Sequence, residues 1–349
     1  MIKLLEELVE TVESTETVPA DVWRKLLGVA DGDAVGFIAE RARAVAQSVF
    51  GKGVYVRALI EISSFCRNNC LYCGLRCSNK GAARYRLAKE QIMECCREAA
   101  RKGFNTFVLQ GGEDSLQSDE WLADVVAAIK GEFPEKAVTL SVGERSRQGY
   151  EQLRAAGVDR YLLRHETADS EHYSLLHPQS MSLTNRFRCL SDLKELGYQV
   201  GSGIMVGSPG QTTEHIVKDL MFLDELKPQM IGIGPFIPAA GTPFACEQSG
   251  SVEMTLLLIS LLRLHFPAAL IPATTALATL DKNGTLKGVL AGANVVMPNI
   301  TPLEFRDKYT IYNNKKSRDS ESAQQLELLA RELGTIGYFI DLSRGDYKP

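Results

Sequence analysis

A chain of 349 residues with 45% hydrophobic and 23% charged residues can bury a large core, in one long domain or two. A formal net charge of −4 excludes a general nucleic-acid or membrane-surface binder. No apolar run reaches the ~18 residues of a membrane-spanning helix. The first residues lack a signal-peptide core, and eight cysteines show no disulfide framework, so a reducing cytoplasm is the expected location.

Residues 1–50 read as a helical N-terminal extension without chemistry. Leu4, Leu5, Leu8 and Val9 mark one helical face, Pro19-Ala20-Asp21 looks like a helix start, and Val35 to Phe50 carries apolar residues at helical spacing. From Val54 the chain alternates β-branched apolar runs with amphipathic segments. The runs predict strands at Val54–Ile62, Thr106–Gln110, Val138–Val142, Arg160–Arg164, Gln199–Met205, Met230–Pro235, Ala269–Pro272 and Ala293–Met297. Helical patterns between them cover Lys89–Lys102, Trp121–Phe133, Arg147–Ala156, Leu183–Leu196, Thr213–Leu226 and Met254–Phe266. A short one lies near Lys287–Ala291. Eight strands with crossovers in unbroken order predict an α/β fold, a single (β/α)8 TIM-type barrel over residues 51–313, in preference to an open doubly wound sheet. Residues 314–349 read as a tail packed on the barrel: a loop, a helix Ser320–Leu333, then apolar Tyr338-Phe339-Ile340.

Directly after the first strand stands Cys66-Arg67-Asn68-Asn69-Cys70-Leu71-Tyr72-Cys73. Spacings of three and then two residues let one tight loop aim three thiolates at a common region, which suits zinc or an iron–sulfur cluster. Structural zinc wants a fourth ligand from a second paired motif, and none follows. Three ligands on a four-iron cubane leave one iron open for chemistry. Cys77 is not read as a fourth ligand, because it would close that iron. Cys95, Cys96, Cys189 and Cys246 read as small buried hydrophobes.

Reactive groups of such barrels collect past the strand ends at one mouth. Strand two leads into Gln110-Gly111-Gly112-Glu113-Asp114, where the glycines permit close backbone approach. Strand three carries Thr139 and Ser141 and runs into Gly143-Glu144. Strand four ends Arg164-His165-Glu166. Strand five leads through Met205 into Gly207-Ser208-Pro209-Gly210, and strand seven into Thr274-Thr275. Strand eight ends at Met297-Pro298-Asn299, with Tyr309 and Tyr312 beyond it. A guanidinium at position 164 needs an anionic partner, either Glu144 or Glu166 as a structural pair or a substrate carboxylate. Arg186 reads either as a carboxylate fork or as a solvated helix residue. Thr274 and Thr275 either bind a carboxylate or cap the next segment. The two tyrosines either reach the cavity or lie on the surface. His165 is expected to point into the barrel wall. Gly201-x-Gly203-x-x-x-Gly207 lacks the spacing and the acidic residue of a dinucleotide fingerprint.

The cysteine triplet with an aromatic before its last member, together with Gly111-Gly112-Glu113, resembles the radical S-adenosylmethionine (SAM) enzymes. Val108 to Asp114, Arg160 to Thr167, Met205 to Thr212, Gly232 to Pro238, Ile271 to Thr275 and Met297 to Pro302 narrow the resemblance to the HydE family of FeFe-hydrogenase maturases. Close relatives share much of this resemblance, notably methylornithine synthase and, further away, biotin synthase. The resemblance covers roughly residues 50–313 and implies one 4Fe-4S cluster on Cys66, Cys70 and Cys73. It implies SAM seated by Tyr72, Gly111, Gly112, Glu113, Ser141 and Met205, with Glu166 on its ribose and Arg186 on its carboxylate. Thr139, Arg164, Thr274, Thr275, Met297, Tyr309 and Tyr312 would line the substrate pocket, with Arg164, Thr274, Thr275 and Tyr309 nearest the chemistry. The implied substrate is a cysteine-bound iron carbonyl–cyanide complex. The implied partners are the maturases HydG and HydF and an electron donor such as ferredoxin or flavodoxin. Some members carry further cysteines near the C-terminus for an accessory cluster. No cysteine follows Cys246, so none is expected here.

Two other readings stand beside this one. A lysine mutase like methylornithine synthase needs a carboxylate deep in the barrel for a side-chain ammonium, where the strand positions placed by sequence carry hydroxyls and Arg164. A non-catalytic iron–sulfur or zinc protein would bind no SAM.

Overall fold

The structure is a computed structural model that describes residues 2–29, 31–315 and 322–348. The first predicted strand divides at Arg57 into β1 (Gly53–Val56) and β2 (Ala58–Ser63). β3 (Thr106–Gly111), β4 (Ala137–Ser141) and β5 (Arg160–Leu162) follow as expected. The fifth run breaks at Gly203 into β6 (Gln199–Ser202) and β7 (Met205–Val206), and the sixth into β8 (Met230–Ile231) and β9 (Gly234–Pro235). Gly203 explains the break: its φ is +151°, and a Cβ there would lie 2.0 Å from the Gly232 carbonyl oxygen. Only glycine allows the two chains to approach so closely.

The main sheet runs β2-β3-β4-β5-β6-β8, all parallel. Expected strand seven is not a regular strand. Ala269–Pro272 contributes isolated bridges, Leu270 to Met230 and Pro272 to Val295, because proline has no N–H to continue a ladder. The eighth is short, β10 (Val295–Val296), and the ring closes where Leu59 N–H donates to Pro298 O at 2.9 Å and Ile300 N–H to Leu59 O at 2.7 Å. Eight parallel chain segments thus form a TIM-type α/β barrel.

Outside lie α4 (Lys89–Arg101), α5 (Asp119–Glu132), α6 (Arg147–Ala155), α8 (Leu183–Glu195), α9 (Thr213–Leu226) and α10 (Val252–His265), close to the predicted spans. Ser118, Ser146, Ser182, Thr212 and Ser251 each accept a backbone N–H from the first turn of the helix they precede. Each of these helices therefore starts at the mouth end of its crossover with one of its orphan donors satisfied by a side chain. α7 (Ser170–Leu176) was not expected from its pattern. α11 (Thr275–Leu280) and α12 (Gly284–Leu290) stand where one short helix was expected.

Ahead of the barrel, α1 (Ile2–Ser14), α2 (Ala20–Leu27) and α3 (Gly32–Phe50) pack on α9 and α10. Trp23 is fully buried, its ring edge-to-face with His265 at 5.7 Å between centroids, and His265 in turn pairs with Asp224. Beyond the barrel come α13 (Leu303–Arg306) and α14 (Ser322–Thr335). Ser320 and Glu321, where the tail helix was expected to begin, lie outside the described residues. The apolar end is a strand that the sequence reading did not assign. β11 (Phe339–Asp341) pairs in parallel with β1 at the barrel floor.

Candidate active site

The cysteine loop leaves β2 and folds across the barrel mouth. Arg67 N–H donates to Glu113 O at 2.9 Å, Leu71 N–H to Leu176 O at 2.9 Å and Gly74 N–H to Ile311 O at 2.9 Å, so three separate elements hold it. The close approach foreseen at Gly112 is made by the loop itself. A Cβ there would lie 2.3 Å from Phe65 O and 2.7 Å from Cys66 Cβ. Cys66, Cys70 and Cys73 are all half-buried. Burial pushes each thiol pKa up, Cys73 to about 12; the charge of Cys66 adds to the rise at Cys70 and Cys73, and that of Cys73 to the rise at Cys70. Among the described residues no three His, Cys, Asp or Glu side chains gather tightly enough to hold a single metal ion. Three cysteines on one loop fit a cubane, which takes one cysteine per iron corner and leaves its fourth iron open.

Around the thiols, Met181 Sδ lies 3.7 Å from Cys70 Sγ, a neighbour the sequence reading missed. Tyr72 packs on Leu176, Met205 and Phe236, and its hydroxyl donates to His177 Nε2 at 3.2 Å. Glu113 does not face open space. Its carboxylate accepts from the Glu144 N–H at 2.8 Å and from Arg67 Nε at 3.1 Å, and it packs against Gly143, whose φ is +79°. Ser141 ends β4, half-buried.

At the end of strand four the guanidinium of Arg164 lies 2.9 Å from Glu166, so of the partners considered it takes that carboxylate. Glu166 itself adopts φ +66° and bonds to Gly203 O, a strained position for a side-chain-bearing residue. His165 points into the wall, as expected, with Nδ1 2.9 Å from Ser202 Oγ. Arg186 corrects one reading: it is not solvated. It is buried, with Nε donating to Glu144 at 2.6 Å and Nη1 donating to the Arg164 carbonyl.

Several buried polar atoms in this interior have no protein partner: Thr139 Oγ1, Thr274 Oγ1 and Arg164 Nε. Thr274 occupies the N-cap position of α11, yet its hydroxyl makes no cap bond. Buried donors of this kind normally find partners, so each is available to a bound group. Tyr309 is buried, with Gln110 Nε2 donating to its hydroxyl at 3.3 Å. Tyr309 and Tyr312 line one cavity of about 520 Å³, while Thr275 and Met297 line another of about 90 Å³. Lys315 lines both.

The deep carboxylate that sequence reading did not find is Glu61. It lies on β2, fully buried, held by Asn299 Nδ2 at 2.9 Å and by the Lys315 ammonium. The signal was available: an acidic residue inside the run Val54–Ile62, whose one other charge is Arg57, in phase with the cavity-lining Leu59.

The comparisons with known proteins agree with this geometry. The Radical SAM superfamily model matches residues 60–223. The [FeFe] hydrogenase maturase subunit HydE of Thermotoga maritima is 44% identical over 309 residues, 88% of either chain. The 3-methylornithine synthase of Methanosarcina acetivorans is 31% identical over 297 residues, 83% of either chain. Among solved structures, methylornithine synthase (PylB) superposes with a TM-score of 0.84 at 28% identity, covering 96% of this chain and 97% of the other. HydG superposes with a TM-score of 0.82 over 98% of this chain and 77% of the other, at 19% identity, a likeness of fold. With three half-buried thiols on a loop across the mouth of a parallel barrel, the chain belongs to the radical SAM superfamily, as an enzyme of the HydE family.

Proposed function

We propose that this enzyme works in FeFe-hydrogenase maturation, acting on a cysteine-bound iron carbonyl–cyanide complex inside the barrel. The observation that carries the reading is 44% identity over 88% of both chains to a hydrogenase maturase. When bound, the 4Fe-4S cluster and SAM supply one-electron cleavage of SAM to a 5′-deoxyadenosyl radical. The chain's own work is to bind, orient and keep water away from that chemistry. Cys66, Cys70 and Cys73 hold the cluster, and the neutral His177 keeps Tyr72 turned toward the SAM side of the loop. The backbone of Gly111, Gly112 and Glu113, with Ser141 and Met205, seats SAM. Glu166 takes the ribose hydroxyls, and Arg186, already braced by Glu144, takes the carboxylate.

The substrate then meets Thr139, Arg164, Thr274, Thr275, Met297, Tyr309 and Tyr312. The partnerless atoms of Thr139, Arg164 and Thr274 support an anionic group there. HydG as the source of the complex, HydF as its acceptor and a ferredoxin or flavodoxin as reductant complete the proposal. The cytoplasm is the setting. No accessory cluster is expected, since no cysteine follows Cys246.

One observation favours a second reading, a lysine mutase like methylornithine synthase: Glu61 is the buried carboxylate such an enzyme needs. Anaerobic reconstitution with SAM and dithionite separates the two. Formation of 5′-deoxyadenosine stimulated by the cysteine-bound iron complex supports maturation. Stimulation by lysine with methylornithine formed replaces it with the mutase, and a protein that never cleaves SAM overturns both.

A further inference from the structure

Glu61 and Lys315 form an ion pair inside the barrel that the chemistry above leaves without a role. Glu61 is fully buried and Lys315 nearly so, its side chain 11% exposed. Desolvating both charges is costly, and a buried pair of this kind is weak as a stabilising device. Lys315 does not come from a barrel strand. It reaches in from the segment past Tyr309, where its ammonium donates to Glu61 and, at 3.2 Å, to the Tyr309 carbonyl. It also lies 4.7 Å from the centre of the Tyr309 ring. Carboxylate, carbonyl and ring face together are the recognition set of an alkylammonium. The other carboxylate oxygen of Glu61 is fixed by Asn299 at 2.9 Å, so the acceptor is held in place independently of Lys315.

Position adds a second line. Lys315 stands between the cavity lined by Tyr309 and Tyr312 and the smaller one lined by Thr275, Met297 and Asn299.

We propose that Glu61 and Asn299 form an ammonium subsite in the barrel, which binds the α-ammonium of an amino-acid-derived ligand. Lys315 is the tethered cation that neutralises Glu61 until such a ligand displaces it. The inference rests on the reading that the substrate is amino-acid-derived, and it names the group that recognises the amine.

Chemical rescue in the full chain tests it. Lys315→Ala, with its cluster reconstituted, gains a few degrees in Tm on addition of ethylammonium chloride and nothing from tetramethylammonium chloride at equal ionic strength. Neither wild type nor Lys315→Ala/Glu61→Gln responds. An alanine variant that folds only with ethylammonium present counts as rescue. Indifference of Lys315→Ala, or an equal response of the double variant, overturns the subsite. If the alanine variant does not fold under either condition, amine acetylation of wild type decides, read by mass spectrometry with SAM present. Labelling at Lys315 rises several-fold with S-methyl-L-cysteine and not with 3-(methylthio)propionate, which lacks the amine. Unchanged or equal labelling overturns the proposal. The maturation reading fails separately, through SAM cleavage that ignores the iron complex while ethylammonium rescue persists.

Discussion

Arg84 joins the two flanks of the cysteine loop with one guanidinium. It donates to Ser64 O at 2.5 Å and Leu75 O at 2.9 Å through Nη1, and to Arg76 O at 2.7 Å and Asn79 O at 3.3 Å through Nη2. Hydrogen bonds from a charged donor contribute about 1.5–3 kcal/mol each. Arg84→Ala is therefore expected to cut iron retained per chain after reconstitution by more than half, with Arg84→Lys recovering part of it. Full iron loading of the alanine variant would sink that role. His177 sets a pH dependence. Its Nδ1 donates to Tyr173 O at 2.9 Å while Nε2 accepts from Tyr72, so the ring is neutral. Burial first, and Arg186 next, hold its pKa at about 3, against an ordinary 6.5. Between those values the unfolded chain carries a proton that the folded chain refuses. The His177 contribution to stability is thus complete above pH 6.5 and declines as pH falls toward 3. The loss approaches about 1.4 kcal/mol per pH unit. Urea unfolding at a series of pH values checks this, and His177→Gln should flatten the slope between about pH 6 and 4.5.

Among the elements, the junction of β3 with the cysteine loop is where a small change reaches the cluster site without touching the core. A methyl group at Gly112 would meet Phe65 O at 2.3 Å and Cys66 Cβ at 2.7 Å, both parts of the loop. Gly112→Ala is expected to keep the barrel's far-ultraviolet dichroism and most of its Tm while iron loading and the visible cluster absorption fall severalfold. A global loss of structure would show instead that β3 depends on that glycine. The helices needed little beyond their own sequence. Five of them begin with a Ser or Thr that accepts a first-turn N–H, and the observed spans follow the apolar periodicity. The strands were less legible at their ends. Gly203 and Pro272 interrupt ladders whose continuity depends on the neighbouring strand, not on local propensity.

At the scale of the whole molecule, the tail closes the barrel floor. Arg160 is fully buried, and its guanidinium is met by Asp346 at 2.5 Å, by the Arg344 carbonyl at 2.9 Å and by Thr106 Oγ1 at 3.1 Å. Arg57 reaches the Gly345 carbonyl at 3.3 Å from the same interior. Removing one partner leaves a buried charge uncompensated, which costs about 3–5 kcal/mol. Asp346→Ala is accordingly expected to destabilise the fold by that order in urea unfolding, while Asp341→Ala, a half-buried carboxylate of β11 that accepts the Ser343 N–H at 2.7 Å and pairs with no buried guanidinium among the described residues, changes it far less. Equal effects would mean that the floor contact is incidental.

The cysteine spacing, the β/α alternation and the helix starts were all decided by neighbours along the chain, so the sequence alone determined the barrel, the cysteine loop and the family. What it did not determine depends on groups far apart in sequence. Glu61 meets Lys315, Arg160 meets Asp346, Arg186 leaves solvent for Glu144, and β11 finds β1. The physical reason is desolvation. A charge inside a closed barrel must find a counter-charge, and which residue supplies it is set by the ring's closure and the path of the tail, neither of which has a local signature.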